Sequence, residues 1–123
     1  GDRYREGTVE LLDAGREVEV DALAAARAGR GGLRGRLQRA MREAAIDLWI
    51  TPAAPGPAPS GIESTGDPVM NLPWTYAGLP ALAIPAGRAE NGLPVGVQCV
   101  APAGEDEALL AWGADLAAAV AEG

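Results

Sequence analysis

The sequence contains no Lys, no His and no Phe, one Cys and only two Ser, Ser60 and Ser64. Without His the common general base at neutral pH is missing, together with most neutral-nitrogen metal ligands. Without Lys there is no amine for Ser-Lys or Schiff-base chemistry. Cys99 has no partner for an internal disulfide, so nothing points to an oxidising compartment and a cytoplasmic location is the default expectation. No apolar run approaches the length of a membrane span, and the first residues carry no signal-peptide pattern. No cofactor or metal is expected. The chain opens on Gly1, which fits a fragment or a processed form.

What remains is a chain of 123 residues, about one domain, built from Ala, Gly, Val and Leu with Trp49, Trp74 and Trp112 for bulk. Such a core buries less area per residue than one rich in large side chains. Net charge is −7, unevenly spread: residues 1–50 balance nine Arg against nine acids, whereas 51–123 set Arg88 against eight. A chain this acidic makes a poor nucleic-acid binder as a whole, because neutralising phosphates needs a positive footprint.

The periodicity predicts a short helix over 4–14, with Tyr4, Val9, Leu11 and Leu12 among charges and Gly15 as its stop. A second helix runs from an Asp21 N-cap to about Ala45, weakened or kinked at Gly29, Gly31 and Gly32. Leu33, Leu37, Ala40, Met41, Ala44 and Leu48 mark its buried face. The period then changes. Leu48-Trp49-Ile50 reads as a buried strand entering a loop at Thr51-Pro52, and Pro52, Pro55, Pro57 and Pro59 carry that loop to about Gly66. A helical turn or two fits around Trp74–Ala77. Ala81–Pro85 and Pro94–Val100 flank Asn91-Gly92, a hairpin signal. Glu105, Asp106 and Glu107 open a last helix whose buried face is Leu109, Leu110, Trp112, Leu116 and Val120. There is no internal repeat.

Three stretches in order, DLWITPAAPGPAP, TGDPVMNLPWTYAGLPALAIPAG and NGLPVGVQCVAPAGEDEALL, resemble the carboxy-terminal part of amidase-signature enzymes. The resemblance is strong over residues 47–120 and thin over 1–46. It implies an α/β fold in which this chain supplies about three strands of a mixed sheet packed against helices. The segments divide as a helical part, 1–46, and a strand, Pro-rich loop, hairpin and closing helix, 47–123. The family's chemistry implies hydrolysis of a carbon–nitrogen amide bond by a Ser, a second Ser in a cis peptide bond and a Lys. Those residues lie upstream in the family and map onto nothing here, so no catalytic residue is assigned and the chain alone is expected to be inactive. Its expected partners are a missing amino-terminal amidase portion, or a second copy joined through exposed sheet surface, with a small amide as substrate. The alternative is a free-standing, non-catalytic binding module derived from an amidase.

The resemblance also places Thr65-Gly66-Asp67-Pro68 through Trp74 beside the substrate pocket. Asp67 is a candidate acceptor for a substrate amine, and Asn71 and Trp74 are candidate contacts. Each has a plainer structural reading: Asp67 as a turn cap ahead of Pro68, Trp74 as core. Gln98 suits buried backbone groups, and Cys99, on the opposite strand face, suits the core. Arg27, Arg30, Arg34, Arg36, Arg39 and Arg42 against Glu43 form a locally basic helix. One well-known relative acts on charged tRNA, so an RNA contact is conceivable; a solvated helix face is the simpler reading. Ser64-Thr65-Gly66-Asp67-Pro68 looks closer to generic amidases or an allophanate-type branch than to the tRNA-dependent one.

Overall fold

Everything is organised around one strand that is covered on both faces. The computed structural model describes residues 5–121, with the side chain of Ala121 excepted. Helix α1 (Glu6–Arg16) and helix α2 (Val20–Ala44) lead to strand β1 (Trp49–Pro52). After the Pro-rich loop come a 3-10 turn (Pro68–Met70), helix α3 (Leu72–Ala77), strands β2 (Ala81–Arg88) and β3 (Pro94–Val100), and helix α4 (Asp106–Ala121). The strands order as β1-β3-β2.

Both pairings are antiparallel, so the expected mixed sheet is, among the described residues, purely antiparallel. For β2 and β3 the reason is local. Residues 89–93 are too few to cross over, and they close a hairpin in which Gly92 takes φ +80° and Asn91 Oδ1 accepts from Leu93 N at 3.1 Å. The hairpin is longer than anticipated, with β2 running on to Arg88 across an irregularity after Pro85.

The alternation along β3 sorts its side chains by face. Cys99 and Val97, with Ala101 just beyond, join Leu82, Ile84 and Leu109 beneath α4, whereas Val100 joins Ala77, Leu79, Trp49 and Trp74 on the other side. Helix α4 meets the sheet through Leu109, Trp112 and Leu116. Leu110 is 62 % exposed and Val120 38 %, against expectation. Leu110 stands about 100° round the helix from Leu109, and Val120 lies in the last turn. Gly113 is buried at the contact, where a Cβ would overlap Leu82 Cδ2.

Three other helix expectations need correction. Helix α1 passes through Gly15 to Arg16, whose guanidinium bonds Asp13 Oδ1 at 2.7 Å; Tyr4 lies outside the described residues. The N-cap of α2 is Glu19, with no side-chain bond, and Asp21 falls in the first turn, where its charge faces the positive dipole end. The buried face of α2 is narrower than its pattern: Met41 is buried, Leu33 and Leu37 are half-buried, and Ala40 and Ala44 are exposed. The helix ends on Ala45 at φ 51°, with Ile46 N donating to Met41 O at 3.0 Å and Ala45 N to Arg42 O at 3.2 Å.

Candidate functional site

Pro55, Pro57 and Pro59 deny the Pro-rich loop both helix and ladder, so it stands off the sheet as a wall. One backbone bond, Ala53 N to Gly96 O at 3.0 Å, pins its start to β3. Opposite, Ser64 Oγ accepts from Gly66 N at 3.1 Å and Asp67 Oδ1 accepts from Val69 N at 2.9 Å. These two bonds fix the second wall. Between the walls lies a groove of about 990 Å³, floored by Val95, Gly96 and Val97 of β3 and bordered by Thr65, Asp67 and Asn71.

Asp67 and Asn71 therefore meet at one groove, as the sequence pairs them. Asp67 caps the 3-10 turn through Oδ1, and Oδ2 accepts no hydrogen bond among the described residues, so capping leaves one carboxylate oxygen unengaged. Asn71 holds the N-cap position of α3, its carbonyl accepting from Thr75 N at 3.0 Å. Trp74 is placed elsewhere. It stacks on Trp49 with ring centroids 6.5 Å apart and planes at 27°, in the core against Val100. Both indole Nε1 atoms are buried without a hydrogen-bond partner among the described residues, each an uncompensated cost of about 1–3 kcal/mol.

Gln98 was legible as a structural amide, and its partners are now definite: Nε2 donates to Met70 O at 3.1 Å and to Thr51 Oγ1 at 3.3 Å. It ties the segment behind Asn71 to the sheet. What sequence reasoning missed is the contribution of Ala86 and the first residues of β3 to the groove. The register of β3 against β1 would have revealed it, since Pro52 pairs with Val97.

Chemically the groove offers acceptors and apolar surface but, among the described residues, no nucleophile with a base. Ser60 and Ser64 are exposed, and Ser64 Oγ serves Gly66. Cys99 is fully buried beneath α4, and burial pushes its thiol above the usual range, away from the reactive thiolate. No three or more Asp, Glu or Cys side chains gather to hold a metal ion among the described residues. Likewise, none of the described helices is long and apolar enough to cross a membrane.

The same elements recur within longer known proteins. A crystal structure of an amidase superposes with a TM-score of 0.81 at 35 % identity, covering 94 % of this chain and 29 % of that one. A chain from a vestigial protein complex, described as revealing the origins of an s-triazine catabolic enzyme, gives 0.66 at 30 % identity and covers 86 % of this chain and 26 % of that one. Among curated proteins, a glutamyl-tRNA(Gln) amidotransferase subunit from Granulibacter bethesdensis is 39 % identical over 83 residues, 62 % of this chain. Its counterpart in Deinococcus deserti is 46 % identical over 83 residues, 58 % of this chain. The matched region is 17 % of the length of each of these two relatives. The curated relatives carry tRNA-dependent names, whereas the superposed crystal structure is of an amidase. The amidase family model matches residues 7–110, reaching back through the helices where the sequence resemblance was thin. With the match running through α1, α2, the groove and the hairpin to α4, the chain belongs to the amidase signature family.

Proposed function

We propose that this chain forms the carboxy-terminal part of an amide-hydrolysing enzyme and contributes one side of its substrate pocket, while the nucleophile and base come from an amino-terminal portion. The observation that carries this reading is the groove itself: Asp67 and Asn71 present acceptor groups over an apolar floor, in a chain with no Lys and no His. A carboxylate there holds a substrate N–H by a charge-assisted bond, and the Pro-lined wall takes an apolar substituent. At family level the reaction is hydrolysis of a carbon–nitrogen bond. Coverage of 29 % of the amidase chain is consistent with a partial contribution.

The test is complementation. Alone, the chain leaves simple aryl amides intact; mixed or co-expressed with the amino-terminal portion of a related amidase, it restores turnover. Asp67→Asn then separates capping from recognition, because Asn still accepts from Val69 N but carries no charge. A rise in KM with kcat retained supports substrate contact, and unchanged kinetics assign Asp67 to the turn alone. Turnover by the pure, isolated chain would sink the proposal.

One observation favours a second reading, a non-catalytic binding module: the central strand β3 is covered on both faces by the chain's own helices and Trp pair. A cooperative melt of a monomeric chain, with no rescue by any amino-terminal portion, would favour it.

A further inference from the structure

The basic residues of α2 are not all a solvated face. Arg30 Nε donates to Tyr76 O at 2.9 Å and Arg34 Nε donates to Ala77 O at 2.6 Å, so two guanidinium groups meet the carbonyl end of α3. That end carries the negative pole of the helix and its unpaired carbonyls, which is where cations stabilise. A third bond joins the same helices, Tyr76 Oη donating to Ala26 O. Ala26, Gly29, Arg30 and Arg34 share one face of α2, following the i, i+3, i+4, i+8 spacing.

Two glycines leave room at the contact. A Cβ on Gly29 would lie 2.6 Å from Tyr76 Oη. A Cβ on Gly78, at φ +66°, would lie 2.6 Å from Arg34 Nη2 and 3.7 Å from Arg30 Nη2. Gly29, expected to weaken α2, is therefore the seat of a tyrosine.

The segment so held contributes Asn71 to the groove and follows directly on the Asp67 turn. It is fastened at one end by Gln98 Nε2 on Met70 O and at the other by the arginines on Tyr76 O and Ala77 O. Asn71 lies between these anchors. The geometry points to Arg30 and Arg34 as positioning residues: through α3 they set where Asn71 and the Asp67 turn stand in the groove. This inference rests on the groove being the substrate side of the pocket, but its test needs no substrate and so fails separately from that reading.

The experiment is residue-resolved amide exchange by NMR on the full chain. In the double variant Arg30→Met, Arg34→Met, the amides of Thr75, Gly78 and Leu79 exchange about tenfold faster, the scale of losing charge-assisted bonds at a partly exposed site. The Val69 amide, held by Asp67, accelerates with them, while β2, β3 and α4 stay protected. Arg34→Lys in the Arg30→Met background, which keeps a charge and a donor near Ala77 O, recovers part of the protection. Gly29→Ala provides an independent arm: it raises helix propensity in α2 yet displaces Tyr76, so α2 gains protection while α3 loses it. Faster exchange at Thr75–Leu79 with Val69 unchanged would overturn the positioning role. Unchanged exchange throughout, or equal loss across the β2–β3 hairpin, would overturn the proposal as well.

Discussion

Replacing Gly113 by Ala sets two effects of known sign against each other. Gly in the interior of α4 costs about 1 kcal/mol relative to Ala, so on an exposed face the change would stabilise. Gly113 is not on such a face. Its Cβ would overlap Leu82 Cδ2 and sit 3.5 Å from Leu82 Cγ, and Leu82 packs into the cluster of Ile84, Cys99 and Leu109. Forcing that side chain off its rotamer, or lifting α4 from the sheet, costs about 1–3 kcal/mol, with an overlap this deep toward the upper end. The expected balance is a loss of about 1–2 kcal/mol, a fall in Tm of roughly 4–8 °C for a domain of this size. Thermal and urea denaturation of Gly113→Ala and Leu82→Ala, singly and together, measure it. In the Leu82→Ala background the obstruction is gone, so Gly113→Ala should change sign and stabilise by up to about 1 kcal/mol. Stabilisation by Gly113→Ala in both backgrounds would refute the packing of α4 on Leu82.

Other expectations follow from single residues. Gln98→Leu leaves Met70 O without its side-chain donor and should cost about 1–2 kcal/mol in urea denaturation, with added exchange at Val69–Asn71. Ala45→Gly relieves the one non-glycine residue at positive φ among the described residues and should stabilise by about 0.5–1 kcal/mol; a loss would mean that Ala45 has a packing role. Burial raises the folded-state value for Cys99 above the usual 9.0, so the unfolded chain releases the proton first. The stability this contributes is whole below about pH 9 and is lost as pH rises toward the folded value, by at most about 1.4 kcal/mol per pH unit, and Cys99→Ala should flatten the decline. Filter binding should show no salt-sensitive retention of RNA, since the chain carries −7 and two arginines of its basic helix already serve α3.

The hairpin, the Pro-rich loop and the closing helix were legible because each is written locally, in Asn91-Gly92, in four closely spaced prolines and in an acidic first turn. The pairing of Asp67 with Asn71 followed from the family pattern and from their proximity in sequence. Less legible was everything that depends on contacts between elements distant in the chain. Leu110 and Val120 are as apolar as Leu109, and only the position of β2 decides which of them is covered. Gly29 and Gly113 look like helix defects until Tyr76 and Leu82 are set against them. Trp74 lies close in sequence to the groove residues, yet its ring stacks on Trp49, 25 positions upstream. Arg30 and Arg34 are indistinguishable by composition from Arg36 and Arg39, and their role comes from where α3 ends.

The strand order β1-β3-β2 has a kinetic consequence. Strands β2 and β3 are joined by residues 89–93 and can zip locally, whereas Pro52 must find Val97 across the whole of the Pro-rich loop, α3 and β2. Closing that long loop is entropically the slower step, so β1 is expected to dock last in folding and to detach first in partial opening. The groove exists only while β1 is docked, because its Pro-lined wall hangs from Ala53 on Gly96. Its lifetime is therefore governed by the opening rate of four residues, and the hairpin beneath can remain closed while the groove comes and goes.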